Sequence, residues 1–244
     1  MTADVAKKVF VAIPVYSHDL DFKTVISLTQ AAAEAAQYNF KLQVQFRVGN
    51  SLVHKARNML LSEFLTTDCT DLFFVDSDIS WGPGTFGRMV THPVDFVCGC
   101  YRSKSEGVHY FVKPADGVFR RDRVHGLVEV EAAPAGFMRV SRKAVEAMIA
   151  HGSQEAWFTE QTAPHIPKIW HLFEFILENH ILWGEDYTFC RKYRQAGGKV
   201  WIDPDITLHH TGKMTYSGHF IDTLTKLAPK HPEFIDPDML GQKR

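Results

Sequence analysis

Short apolar runs alternate with longer segments of helical periodicity along this chain. The run VFVAIPV covers residues 9–15, and apolar residues then recur at helical spacing from Phe22 to Tyr38, a segment that Asp21 can cap. An alternating strand follows over Leu42 to Val48. A strand, a helix and a strand of these lengths predict a parallel crossover unit.

The continuous apolar run LFFV at residues 72–75 predicts a strand buried on both faces at the centre of a sheet. A helical stripe precedes it over residues 52–64. The remaining pattern predicts a short helix at 86–91, strands at 95–101 and 133–140, a helix capped by Ser141, a hairpin at 173–183, a helix from Gly184 to Gly197-Gly198 and a strand at 200–202. We therefore predict an α/β fold with a mostly parallel central sheet flanked by helices.

The chain has 244 residues, 45% of them hydrophobic, and a formal net charge of −1, so we expect one domain with no global attraction to nucleic acid or membrane. No apolar window approaches the roughly 18 residues of a membrane span, and the N-terminus lacks the features of a signal peptide. These features predict a cytoplasmic protein without a membrane span.

The four cysteines lack zinc-site spacing, so we expect buried free thiols. The tail beyond Gly218 shows no clear core role.

Asp76 and Asp78 follow the buried strand directly. In extended chain, side chains two apart share a face, so both carboxylates are expected to point together at the edge where α/β sheets bind ligands. Such a pair favours a divalent cation or a raised pKa on one member. The alternative is a turn residue followed by a cap, but the apolar run before the pair favours a binding site.

Three other features have both a structural and a functional interpretation. Arg57 is either a solvated helical residue or a contact to a diphosphate or base, and Glu185 with Asp186 either stabilises a helix N-terminus or takes part in chemistry. Between Arg102 and Lys143, nine basic residues face five acidic ones, which fits an anionic partner or a solvated face. The long loop between His151 and Lys168 predicts a lid over the site.

Five motifs occur in an order that resembles GT-A fold glycosyltransferases, and they are most similar to the compact family 2-like enzymes of bacteria and their viruses. They are IPVYS, ARN before the D-S-D strand, AGFM, GEDYTFCRKYRQAGGKVWIDP and the closing L-H-H-T-G, over about residues 9–212. The resemblance implies a single GT-A, Rossmann-like domain at 1–220, with a nucleotide-binding half at about 1–101 and an acceptor half at about 102–220. Residues 221–244 would form a C-terminal tail.

The resemblance also implies a nucleotide-sugar donor, a UDP- or GDP-sugar, and a Mn²⁺ or Mg²⁺ ion on the DxD motif. The implied metal ligands are Asp76, Asp78 and His210, with His209 as a rival to His210 because imidazole is a common metal ligand. The residues implied on the donor side are Pro14, Tyr16, Arg57, Asp76, Gly136 and Phe137. The last two would form the wall between donor and acceptor.

By the same resemblance Asp186 is the general base and Glu185 orients the acceptor, an arrangement that gives inversion. This chain has WGED where several relatives have a double glycine, which leaves the stereochemical outcome open. The expected function is metal-dependent transfer of a sugar to an acceptor hydroxyl. The alternatives are a nucleotidyltransferase and a non-catalytic binding module. The acceptor stays open between a glycan, a lipid head, a protein and the hydroxymethylated bases of viral DNA, and the oligomeric state is not indicated.

Overall fold

The computed structural model describes residues 6–152, 155–156, 165–212 and 214–236. The strands in these ranges are β1 (Lys7–Val15), β2 (Phe40–Val48), β3 (Asp71–Val75), β4 (Ile79–Trp81), β5 (Phe96–Gly99), β6 (Lys113–Pro114), β7 (Val128–Ala132), β8 (Phe137–Ser141), β9 (Glu155–Ala156), β10 (Ile169–Trp170), β11 (Ile176–Glu178), β12 (Ile181–Trp183), β13 (Val200–Asp203), β14 (Thr207–Thr211) and β15 (Thr215–His219). The helices are α1 (Phe22–Glu34), α2 (Val53–Leu65), α3 (Thr85–Thr91), α4 (Arg142–Ala150), α5 (Glu185–Gln195) and α6 (Phe220–Leu227).

An eight-stranded sheet in the order β2-β1-β3-β8-β5-β13-β7-β6 forms the centre of this mixed α/β fold. β2, β1 and β3 are parallel, as are β5 and β13, whereas β8 runs antiparallel to both of its neighbours and β7 runs antiparallel to β13 and β6. The predicted α/β sheet is therefore mixed: the parallel pairing expected from sequence is present at β2-β1-β3 and at β5-β13, and the reversed strands β8 and β7 depart from it. A strand that is buried on both faces is apolar whichever way it runs, and β8, with four of its five residues buried, resembles the fully buried β3 in this respect.

Two hydrophobic clusters cover the two faces of this sheet. On β3, Leu72 and Phe74 belong to one cluster, which includes residues of α2, α4 and α5, while Phe73 and Val75 belong to the other, which includes residues of α1 and α3. The predicted caps are present, since Asp21 accepts from the Lys23 N–H at 2.9 Å and Ser141 from Ala144 at 3.1 Å. All four cysteines are buried and unpaired, as predicted.

Helix α2 is buried on more than its apolar stripe. Arg57 and its neighbour Asn58 are 4% and 1% exposed, so the solvated alternative for Arg57 is wrong. The Asn58 side chain accepts from the N–H groups of Leu172 (3.0 Å) and Phe173 (2.9 Å) and donates to the Phe173 carbonyl at 2.8 Å. The chain around residue 172 thus covers the outer side of α2, a contact that local periodicity does not encode.

A second, three-stranded sheet has the order β15-β14-β4. β14 pairs antiparallel with β4, which places His210 opposite Ile79, and the Thr211 N–H donates to the Asp78 carbonyl at 2.8 Å. This small sheet therefore brings the L-H-H-T-G motif beside the end of β3.

The C-terminal segment contributes to the core. Leu224 in α6 and the later Ile235 are each 2% exposed and belong to the same cluster as Phe220. The expectation that the chain beyond Gly218 has no clear core role is wrong, because apolar residues at helical spacing in α6 pack into this cluster. Residues 237–244 lie outside the described ranges.

The predicted lid over residues 151–168 falls largely outside the described residues, since 153–154 and 157–164 are not among them. The predicted hairpin is confirmed: β11 and β12 pair antiparallel, with Asn179 and His180 in the left-handed region at the turn. Within the described ranges, no helix combines the length and the apolar character required to cross a bilayer.

The buried pair of Arg139 and Asp71 yields a stability prediction. The Arg139 Nη1 lies 2.6 Å from Asp71 Oδ1, and Nη2 donates to the His92 carbonyl at 3.2 Å. Asp71→Ala leaves a buried guanidinium without its carboxylate, so we expect the free energy of unfolding in urea to fall by about 3–5 kcal/mol. Asp68→Ala, which removes an exposed ion pair with Lys8, is the control and should leave stability unchanged. Equal stability of the two variants would contradict this account.

Candidate functional site

The chain turns sharply after β3. The Ile79 N–H donates to the Asp76 carbonyl at 3.1 Å, so residues 76–79 form a turn and not the extended chain expected from sequence. Both Asp76 and Asp78 nevertheless line one cleft of about 230 Å³. Within it they have different partners, because Asp76 is bound by Arg57 whereas Asp78 faces His210 and Lys104.

The buried side chain of Arg57 forms ion pairs with two carboxylates, those of Asp76 and Glu185. Its Nη2 lies 2.7 Å from Asp76 Oδ1, and its Nη1 lies 2.8 Å from Glu185 Oε1, with the arginine side chain only 5% exposed. Burial lowers the pKa of Arg57, but the carboxylates of Asp76 and Glu185 outweigh this effect and raise it above its ordinary value. Arg57 thus connects the end of β3 to the start of α5, and both of its terminal nitrogens are used within the protein.

Asp78 faces two nitrogen groups. Its Oδ1 lies 3.6 Å from His210 Nε2, and its Oδ2 contacts the Lys104 ammonium. Burial pushes the pKa of Asp78 upward, but the nearby nitrogen groups of His210 and Lys104 outweigh burial and hold the pKa below its ordinary value. The His210 Nδ1 lies 3.0 Å from the Arg102 carbonyl, which can only accept, so Nδ1 carries a proton and Nε2 faces Asp78.

The two adjacent histidines point to opposite sides of β14, as alternation along a strand requires. His209 Nδ1 lies 2.7 Å from Ser217 Oγ, while His210 lines the cleft that contains Asp78. His210, and not His209, is the imidazole beside Asp78.

The expected metal set is only partly assembled. Asp78 Oδ1 and His210 Nε2 suit Mn²⁺ or Mg²⁺, and because such donors approach a small divalent cation to about 2.0–2.2 Å, two atoms 3.6 Å apart can share one. Asp76 lines the same cleft, but its Oδ1 is held by Arg57. Across the described part of the chain, no group of three or more acidic, histidine or cysteine side chains is arranged to hold a metal. The residues fit a two-donor site.

Tyr101 and Gly136 form the wall beside Asp76. The Gly136 N–H donates to the Tyr101 hydroxyl at 3.2 Å, and that hydroxyl lies 3.5 Å from Asp76 Oδ2. A Cβ at Gly136 would lie 2.4 Å from the Tyr101 oxygen and 2.5 Å from Asp76 Oδ2, so only glycine fits there. Burial, and then the charge of Asp76, raise the pKa of Tyr101 well above its ordinary value. No feature of the DFVCGCY segment singles out Tyr101 for this position.

The other implied donor-side residues divide into two groups. Pro14 and Tyr16 line the cleft of the two aspartates, and the Tyr16 side chain is 70% exposed. Phe137 does not line it, because its ring is fully buried against Phe73 (4.8 Å) and Trp81 (4.9 Å). The placement of Phe137 at the donor wall is therefore wrong, and its aromatic ring belongs to the core.

A second cleft of about 500 Å³ lies beside the start of α5. Its lining includes Asp186, Tyr187, Trp183, Phe111, Pro134, Tyr101 and His210. Burial first, and then the charge of Glu185, raise the pKa of Asp186 to about 6, while Asp186 Oδ1 accepts from the Tyr187 N–H at 2.9 Å.

The two clefts adjoin at a pair of rings. Tyr101 and His210 line both, and their rings meet edge to face with centroids 5.0 Å apart. Asp78 therefore lies in one cleft and Asp186 in the next, with this ring pair between them.

The basic excess between Arg102 and Lys143 is compensated inside the protein. At least seven of its nine basic residues form ion pairs, namely Lys104, Lys113, Arg120, Arg121, Arg139, Arg142 and Lys143. Most of the partner carboxylates come from outside this segment, so a count along the sequence overstates the positive charge. The segment therefore adds no support for a nucleic-acid acceptor.

No protein-family model and no curated relative matches this sequence. Among solved structures, A197 from STIV is similar with a TM-score of 0.49 and 17% identity, over 84% of this chain and 86% of that one. A glycosyltransferase involved in the glycosylation of the major capsid of PBCV-1 is similar with a TM-score of 0.33 and 11% identity, over 59% of this chain and 64% of that one. These likenesses do not assign the chain to a family.

The raised pKa of Asp186 predicts a pH-dependent stability. A folded-state pKa of about 6, against an ordinary 3.8, means that the native state holds the proton more tightly than the unfolded state, so stability is lost as pH rises between these values. Asp186→Asn removes this loss. We expect the variant to exceed the wild type by on the order of 1 kcal/mol at pH 8 in urea denaturation, and the difference to shrink toward pH 4.

The control for this experiment is Asp19→Asn, which changes an exposed carboxylate and should give no pH-dependent difference. A wild type and an Asp186→Asn variant of equal stability at both pH values would contradict the burial of a charged Asp186.

Proposed function

We propose that this protein is a metal-dependent glycosyltransferase that moves a sugar from a nucleotide-sugar to an acceptor hydroxyl. The observation that carries the proposal is the pair of adjoining clefts, one with the anionic Asp78 beside His210 and the other with Asp186 at a raised pKa. Sugar transfer needs a place that accepts negative charge on a leaving diphosphate and, on the other side of the sugar, a base for the incoming hydroxyl. The two clefts offer these two environments.

The first cleft would hold the donor. Asp78 and His210 would bind Mn²⁺ or Mg²⁺, which when present neutralises charge on the departing diphosphate as a Lewis acid. Tyr16 and Pro14 would line the nucleotide end. Asp76, fixed by Arg57, would offer its Oδ2 to a ribose hydroxyl. The donor is a UDP- or GDP-sugar in this proposal.

The second cleft would hold the acceptor. Asp186 takes the proton from the acceptor hydroxyl, whose oxygen forms a bond to the anomeric carbon while the bond from that carbon to the diphosphate oxygen breaks. A base with a pKa of about 6 is ionised at neutral pH and still basic enough to accept the proton. One base opposite the leaving group gives inversion.

Glu185 has a different role in this proposal from the acceptor-orienting one implied by resemblance. Its Oε1 is held by Arg57 at 2.8 Å, and its side chain is only 13% exposed. Its charge contributes to the raised pKa of Asp186. Glu185 would therefore position Arg57 and adjust the base without touching the acceptor.

A panel of UDP- and GDP-sugars with Mn²⁺ tests the activity through release of the nucleoside diphosphate. We expect turnover by the wild type, and a loss in kcat of about 100-fold or more in both Asp78→Asn and Asp186→Asn, because each removes a charge that the reaction uses. Asp95→Asn, a carboxylate paired with Lys143 away from both clefts, is the matched control and should retain activity. Release of pyrophosphate would indicate a nucleotidyltransferase, and binding without turnover a binding module; either result would sink the proposal.

The pH profile identifies the base. Because Asp186 must be ionised to accept a proton and its pKa is about 6, kcat/KM should rise tenfold per pH unit below that value and level off above it. An acid limb that bends near pH 4 would assign the proton transfer to a group other than Asp186.

A further inference from the structure

We propose that Lys104 is a resident cation that competes with the divalent metal ion for Asp78. This inference rests on the cation site of the proposed function. Lys104 lies in the segment between β5 and β6, and its ammonium contacts Asp78 Oδ2 while Oδ1 of the same carboxylate faces His210. The lysine thus occupies one side of the carboxylate on which a metal ion would depend.

The absence of a side chain at Gly212 leaves room for the Lys104 side chain to reach Asp78. Its methylene stem runs past Gly212, where an added Cβ would lie 3.0 Å from Lys104 Cδ and 3.5 Å from Cε. The closing glycine of the L-H-H-T-G motif therefore leaves space for this stem. A larger residue at position 212 would press on the lysine that reaches Asp78.

The segment that carries Lys104 is tied to the same histidine. The Arg102 carbonyl accepts from His210 Nδ1 at 3.0 Å, and the Ser103 N–H donates to the His109 carbonyl at 2.9 Å. The contact that orients His210 toward Asp78 thus also fixes the start of the turn from which Lys104 extends. The same contact therefore positions both His210, the proposed metal ligand, and Lys104.

Electrostatics makes the two cations alternatives. A divalent ion shared by Asp78 and His210 would lie a few Å from the Lys104 ammonium, and like charges at that separation repel. The lysine side chain is 36% exposed and flexible, so it can leave the carboxylate for solvent. Lys104 would therefore pair Asp78 while the metal is absent and weaken metal binding in the free protein.

Mn²⁺ binding to the full chain, without any nucleotide-sugar, tests this competition. Free Mn²⁺ is measured by electron paramagnetic resonance during titration of the wild type and of Lys104→Met, which keeps the length of the stem and removes the charge. We expect the Kd for Mn²⁺ to fall about tenfold in Lys104→Met. The matched control is Lys143→Met, because Lys143 forms an exposed ion pair with Asp95 at 3.2 Å elsewhere, and it should bind as the wild type does.

The Asp78→Asn background decides whether the effect acts through the carboxylate. There the Lys104→Met change should no longer alter Mn²⁺ affinity. Unchanged or weaker Mn²⁺ binding in the Lys104→Met single variant would overturn the competition, as would absence of Mn²⁺ binding in every variant. The measurement involves no sugar transfer, so tighter binding in Lys104→Met with no turnover would uphold the competition and reject the transferase.

Discussion

The buried guanidinium of Arg57 is the constraint on which the site depends. A charge this deeply buried must be paired, since removing one partner of such a pair typically costs several kcal/mol. Its partners are Asp76 after β3 and Glu185 at the start of α5, so three elements have to meet at one edge of the sheet. The residue that follows Glu185 is Asp186, and the same constraint therefore fixes the proposed base beside the second cleft.

Three aspartates of this site have three different electrostatic environments. Asp76 is held by an arginine, Asp78 has a lowered pKa because His210 and Lys104 outweigh its burial, and Asp186 has a raised pKa through burial and the charge of Glu185. Identical side chains can thus take different protonation states at one pH. A site that must bind a cation and also accept a proton needs this difference, which comes from the neighbours of each aspartate.

The local pattern of apolar and polar residues predicted the features that depend on residues close in sequence. These are the buried strand β3, helix α2, the caps at Asp21 and Ser141, and the hairpin. The pattern did not predict the direction of β8, because this strand is apolar for the same reason as a parallel strand. The bond between Arg57 and Glu185 spans 128 positions, and no periodicity reveals it. Lys104 and Tyr101 were missed for the same reason, since only the fold places them beside Asp78 and Asp76. The helix α6 did have a sequence signal, in its apolar residues at helical spacing.

A crystal structure of the chain with a nucleoside diphosphate and Mn²⁺ tests the central claim most directly. The account predicts the diphosphate in the cleft between Tyr16 and Asp78, the metal ion on Asp78 and His210, and Arg57 still bridging Asp76 and Glu185. A nucleotide bound elsewhere on the protein, or a diphosphate in this cleft with the metal ion away from Asp78, would contradict it.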